Sequence, residues 1–240
     1  MENTVNPAKS RSNNGNRIDM KTMYLSSLLK KGCEPINDAI IEEMSKLRAK
    51  VIIDYTASNS GKIKLALDDK KELNTNPCLY RWLVSEEFIQ KYLQKYTNDK
   101  NNYPELEGII FHEKNQRIIG DTTYYAIYFG KSGDGNNRII NQHLRGTIKK
   151  STLRQTLYGL FVKENENTIY TTKKEPEISK LFENSYFEWL HFDKKDKERI
   201  VAYESICIAL GSYLLNLDGN PTIRDNWYQY VMKRRKLNKK

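Results

Sequence analysis

The stretch YYAIYFGKSGDGNNRIINQHLRG, residues 124–146, reads as a tyrosine-rich strand, a Gly/Asp/Asn turn and the start of a cationic helix. That order carries the phenol of Tyr128, the ammonium of Lys131 and the guanidinium of Arg138 to one end of a sheet. At helical spacing Arg138, Gln142 and Arg145 share a face, and His143 falls with Ile139 and Ile140 on the other, a setting that favours a satisfied core histidine. Glu204 is the odd carboxylate of the chain. On a helix its neighbours three and four positions away are Ile200, Val201, Cys207 and Ile208, so an unpaired charge there is costly. Two readings follow: a buried ion pair with an arginine, or a metal ligand. Asn216 lies twelve positions on (216 − 204 = 12), at the head of the turn segment NLDGNP, where it either shapes the turn or faces the site.

The chain that must position these groups has 240 residues, 38% hydrophobic and 29% charged, which suits one large globular domain or a domain with an extension. Its 40 Lys and Arg against 30 Asp and Glu leave a formal charge of +10, favouring a polyanionic partner such as nucleic acid. Cys33, Cys78 and Cys207 form neither a disulfide framework nor a CxxC metal knuckle, and no apolar run approaches the length of a membrane span. A reducing, cytoplasmic setting is expected.

Residues 1–22 read as a polar leader without a core, and 23–75 as a mostly helical accessory region. In the latter, Ile36, Ala39, Ile40, Met44 and Leu47 recur at helical spacing before the strand-like VIIDY. CLYRWLV (78–84) is a strand, SEEFIQKYLQKY a helix, LEGIIFHE a second strand and TTYYAIYFG a third. RIINQHLR is a short helix closed by Gly146, and Ser151 caps a further helix striped with Leu153, Leu157 and Leu160. A strand is expected at TIYTT, then a helix passing into an aromatic strand in ISKLFENSYFEWLHF. KDKERIVAYESICIALGSYLL is the longest helix foreseen, and 233–240 a basic tail. The fold class is α/β (α+β): a small central mixed or antiparallel sheet flanked by helices, with a helical N-terminal extension.

The order Tyr80 in CLYRW, YFG at 128–130, Lys131, Arg138, a nearby His, STLR at 151–154, Glu204 and Asn216 resembles the GIY-YIG nuclease superfamily. It looks most like bacterial members carrying HLRG…STLRQTLYGL and ESICIALG…LNLDGNP segments; the likeness spans about residues 76–235, and the nuclease-like domain with its inserts is set at 76–232. The Tyr-to-Arg interval (138 − 128 = 10) fits the family. Its two tyrosine strands normally form a tight hairpin, whereas Tyr80 and Tyr128 are 48 apart (128 − 80). CLY is therefore read as the first signature strand with elements inserted after it, against a rival at GII, 108–110. The family's His or Tyr slot, four residues after the Arg, holds Gln142, with His143 one further on.

The resemblance implies a divalent-metal-dependent DNA endonuclease, of restriction or defence type. Repair or recombination nuclease, or a nucleic-acid binder with a degenerate site, are the alternatives. It implies Glu204 holding Mg²⁺ (or Mn²⁺), Arg138 gripping the scissile phosphate, Tyr128 or Tyr80 as base with Lys131 as activator, and His143 as relay. Asn216 would orient the substrate or Glu204, Arg145 and Arg154 would contact DNA, and a homodimer would cut both strands.

Overall fold

The computed structural model of the protein describes residues 20–54, 62–67, 73–162, 172, 175–221, 223 and 225–236. Six strands form one sheet: β1 (Arg48–Asp54), β2 (Lys62–Leu67), β3 (Cys78–Ser85), β4 (Gln116–Ile119), β5 (Thr122–Ser132) and β6 (Tyr186–His191). Their order is β2-β1-β6-β3-β5-β4, and every neighbouring pair is antiparallel.

Among the described residues eight helices, short 3-10 turns apart, flank it. They are α1 (Met20–Ser45), α2 (86–97), α3 (Leu106–Ile110), α4 (Asn137–Leu144), α5 (152–162), α6 (Glu175–Lys180), α7 (Lys197–Gly211) and α8 (Asp225–Lys236). The middle of α2, all of α4 and the last part of α5 are π-helical, with the wider turn and i to i+5 bonding of that form.

β3 is buried from Cys78 to Val84 because both faces of the sheet are covered. Cys78, Tyr80, Trp82 and Val84 face a core shared with residues of α2, α3, α5 and α8, among them Leu93, Leu106, Leu157 and Trp227. Leu79 and Leu83 face a second core with Ile40 and Met44 of α1 and Ile200 and Cys207 of α7. A strand apolar on successive residues is what a doubly covered position demands.

The exception is Arg81, fully buried on the second face. Its register partner on β6 is Glu188, also fully buried, and Arg81 Nε donates to Glu188 Oε2 at 2.6 Å. Arg117 of β4 approaches Glu188 Oε1 at 3.3 Å from the other side. Two guanidinium groups thus sandwich one carboxylate in a low-dielectric setting.

Several expectations are corrected. LEGIIFHE is not a strand: Leu106, Ile109 and Ile110 are buried at one-turn spacing on α3, a run too short for periodicity to separate helix from strand. The strand that precedes β5 is instead β4, joined by a two-residue turn in which Gly120 takes φ 59°. α7 has 15 residues and ends where Ser212 adopts a left-handed φ of 53°, so among the described residues the longest helix is α1, 26 residues with Pro35 inside it. After α1 the chain enters the sheet, with β1 pairing both β6 and β2. Residues 1–19 of the expected leader, and TIYTT apart from Thr172, lie outside the described residues.

Removing one partner of a buried ion group leaves the others uncompensated. Glu188→Leu, which strands both Arg81 and Arg117, is expected to cost about 3–5 kcal/mol, read as a lower urea midpoint with unchanged slope.

Candidate active site

Although 48 positions separate them, the two tyrosine strands are direct neighbours, with Tyr80 opposite Gly130 and Trp82 opposite Tyr128. The intervening residues fold away as α2, α3 and β4. The rival segment 108–110 lies in α3, so the strand beside YFG is the one carrying Tyr80. The phenol of Tyr80 lies across its partner: a Cβ on Gly130 would sit 2.7 Å from Tyr80 Cζ and Oη. Only glycine leaves room there. Tyr80 is fully buried and Tyr128 half-buried, their ring centroids 6.2 Å apart.

α4 supplies the guanidinium and the imidazole. Asp134 opens it by accepting from the Asn137 N–H at 2.8 Å. Arg138 Nη1 donates to Gln142 Oε1 at 2.6 Å, and Arg138 Nε donates to Tyr80 Oη at 3.3 Å. His143 Nε2 is 2.7 Å from Tyr80 Oη, and its ring is 5.4 Å from that of Tyr80 and 6.0 Å from that of Tyr128. The π-helical winding explains why both Gln142 and His143 are used. With about one extra residue per turn, the residue five after Arg138 comes round to the same side.

His143 Nδ1 lies 2.7 Å from Ser151 Oγ, which also caps α5 by accepting from the Arg154 N–H at 3.1 Å. The cap was legible from the sequence; its hold on His143 was not, because it joins two helices. Arg154 is corrected as a DNA contact. It is fully buried, donates to the His143 and Leu144 carbonyls at 2.8 and 3.1 Å, and pairs with Glu175, so its charge closes the end of α4. Arg145 is exposed just beyond that end.

Burial sets the protonation states. It pushes the Tyr80 phenol well above its ordinary range, with Tyr128 reinforcing the shift and Arg138 opposing it. It pushes His143 well below the usual imidazole value, and the nearby Arg138 and Arg154 charges act in the same direction. At neutral pH the buried cluster is therefore a neutral phenol on a neutral imidazole beside a guanidinium. Such a cluster can bind and orient an anion through Arg138.

Glu204 and Lys131 form a separate ion pair. Strand alternation sends Lys131, like Phe129, to the face where α7 packs, and Tyr128, like Gly130, to the face of α4. The partner of Glu204 is thus a lysine, and its side chain is 18% exposed because Val201, on the same helix side, faces solvent. Lys131 is committed to Glu204 and is three residues, about 10 Å along the strand, from Tyr128.

Asn216 is buried and binds neither Glu204 nor open space. Its Oδ1 accepts from the Phe129 N–H at 2.7 Å and its Nδ2 donates to the Phe129 carbonyl at 2.8 Å. With the Leu215 N–H bonded to the Ile127 carbonyl at 2.9 Å, it continues the ladder along β5 where β4 has ended. That side-chain rung holds the strand carrying Tyr128 and Lys131 in register.

Among the described residues no three His, Cys, Asp or Glu side chains converge on a metal position. Glu204 offers one carboxylate with Oε2 against Lys131 and its edge in solvent. A lone oxygen donor of this kind fits a hard divalent ion that keeps most of its water.

A family model described as the GIY-YIG catalytic domain matches residues 78–237. No curated protein and no solved structure matches the chain.

His143 makes stability depend on acid. Its folded value lies below the ordinary ~6.5 of the unfolded chain, so its contribution is complete above that pH and is lost as pH falls. His143→Gln is expected to flatten the decline in unfolding free energy between about pH 6.5 and 5, measured by urea titration at stepped pH. The residual slope belongs in part to His191, which burial also pushes down.

Proposed function

The matched region spans two thirds of the protein, so the chain belongs to the GIY-YIG nuclease family and is an endonuclease, a phosphodiester hydrolase; on that premise we propose that it cuts DNA with the help of Mg²⁺ or Mn²⁺. The observation that carries this reading is Arg138, held by Tyr80 and Gln142 with His143 locking Tyr80 in turn. A guanidinium fixed in this way is pre-organised for a phosphate whose charge grows in the transition state.

Tyr128, the less buried phenol, is the group that meets the attacking water, while Tyr80 stays protonated and positions Arg138. His143 is a positioning residue, since a neutral imidazole fixed between Tyr80 and Ser151 aligns the phenol and carries no charge to donate. Glu204 would hold the metal, with Lys131 moving off its Oε2 or sharing it. Such an ion would supply Lewis acidity for the leaving oxygen. Asn216 supports the site by fixing β5 rather than by touching substrate.

A restriction or defence role draws support from α1 and the β1–β2 hairpin, which lie outside the matched region, and from the insert over 86–121 within it: these are further surfaces for reading sequence. Two protomers, each with one site, would cut both strands of a duplex. The net charge of +10 suits such a substrate. A second reading, a binder that does not cut, draws on one observation: Glu204 is paired on the α7 side of β5 while Tyr128 and Arg138 gather on the α4 side.

Incubation with plasmid, single-stranded DNA and RNA, each with Mg²⁺ or with EDTA, separates the two. The nuclease reading expects metal-dependent cleavage of DNA, reduced by at least about 10²-fold in Arg138→Ala, the cost of losing one transition-state donor. Glu204→Gln should abolish cutting while leaving DNA affinity within about twofold, since it removes no phosphate contact. Cleavage by either variant at the wild-type rate contradicts the assignment, and absence of any metal-dependent cleavage selects the binder.

A further inference from the structure

Arg81 and Arg154, both fully buried, are each balanced by a carboxylate, Glu188 and Glu175. Arg235, in the last turn of α8, is held differently. It is half-buried, yet among the described residues no carboxylate forms an ion pair with it. Its Nε donates to Thr156 Oγ1 at 2.7 Å, and Thr156 passes its own proton to the Thr152 carbonyl at 3.0 Å, so the hydroxyl is fully committed to holding the arginine. Among the described residues Nη1 meets the sulfur of Met232, at 3.9 Å. The neighbouring Arg234 turns the other way and binds the Gly159 carbonyl.

α5 fixes where this guanidinium lies. Its cap Ser151 holds His143, and Thr156, five residues and about 7.5 Å further along the helix, holds Arg235. One helix therefore sets both the imidazole behind Tyr80 and the guanidinium beyond it. Tyr128 packs against the same core as Tyr228 and Met232 of α8. Burial pulls the proton affinity of Arg235 down, and the charges that Tyr128, Asp218 and Tyr228 can carry nearby oppose the loss. Arg138 faces Tyr128 as well. The half-buried phenol thus lies within electrostatic reach of two guanidinium groups from different helices, whereas Lys131 is occupied by Glu204.

We propose that Arg235 is a second phosphate-binding guanidinium of this site, holding the phosphate next to the one that Arg138 grips. The proposal rests on the nucleic-acid reading given above. A partly desolvated cation without an ion pair, anchored through Nε with its outer nitrogens turned from the anchor, is suited to an anion that arrives with the substrate.

Binding of a fluorescent DNA duplex is measured by anisotropy across a salt series, in EDTA and in the Glu204→Gln background. Arg235→Met is expected to weaken binding about tenfold, as loss of one charge-assisted contact would. It should also reduce the log–log salt slope by about one. Arg235→Lys should keep the slope, because the charge remains. Thr156→Val should lose part of the affinity with the slope intact, because the charge is present but no longer aimed. Thermal melts confirm folding of each variant.

Unchanged affinity and slope in folded Arg235→Met overturn the proposal, and if wild type still cuts, the nuclease reading survives that result. A reduced slope in a protein that never cuts supports the Arg235 contact while the cutting assignment fails. No nucleic-acid binding by the wild type overturns both. Should Arg235→Met not fold, Arg235→Lys and Thr156→Val decide, and unaltered affinity in both is the overturning result.

Discussion

The site depends on one contact across a pair of strands: the phenol of Tyr80 lying over Gly130 and ending on His143. Antiparallel pairing puts these two residues opposite one another, and the missing side chain at 130 leaves the space that an aromatic ring fills. From that ring the rest is hung. Tyr80 Oη meets the Arg138 guanidinium, His143 meets Ser151, and Ser151 starts the helix that packs against α8. A fully buried phenol and imidazole are costly unless each polar atom has a partner, so the chain of hydrogen bonds is a condition for the packing.

The arginines divide by what balances them. Arg81 and Arg154 are scaffold residues: one locks β3 to β6 through Glu188, the other closes α4 through two carbonyls and Glu175. Neither has a side chain that reaches solvent. Arg138 is held instead by neutral oxygens of Tyr80 and Gln142, which fix its direction without cancelling its charge. Position and charge are thereby separated, and that separation is what a phosphate-binding guanidinium requires.

The inserted elements explain how a family pattern survives a 48-residue gap. α2, α3 and β4 all return to the sheet, β4 by pairing with residues 122–125 of β5, so β3 and β5 remain neighbours as if joined by a short turn. Beyond Tyr125 no strand among the described residues lies along that edge of β5. The Leu215 amide and the side chain of Asn216 complete it, giving a residue noted for its spacing from Glu204 a structural reason of its own.

Much of this was legible in the residues alone. Tyrosine-rich β3 and β5, the caps at Asp134 and Ser151, the helix bearing Glu204 and the aromatic β6 all announce themselves through local periodicity and turn chemistry, which act over a few residues. The motif order likewise identified the family, because residue types in sequence are what a family conserves in recognisable form. Pairing of charges was not legible. That Glu204 meets Lys131, that Arg154 is interior, that β1 and β2 extend the sheet and that Arg235 bonds Thr156 are matters of contact between segments far apart in the chain. Local propensity carries no information about which distant surface a side chain will meet; only the closing of two cores around one sheet decides it.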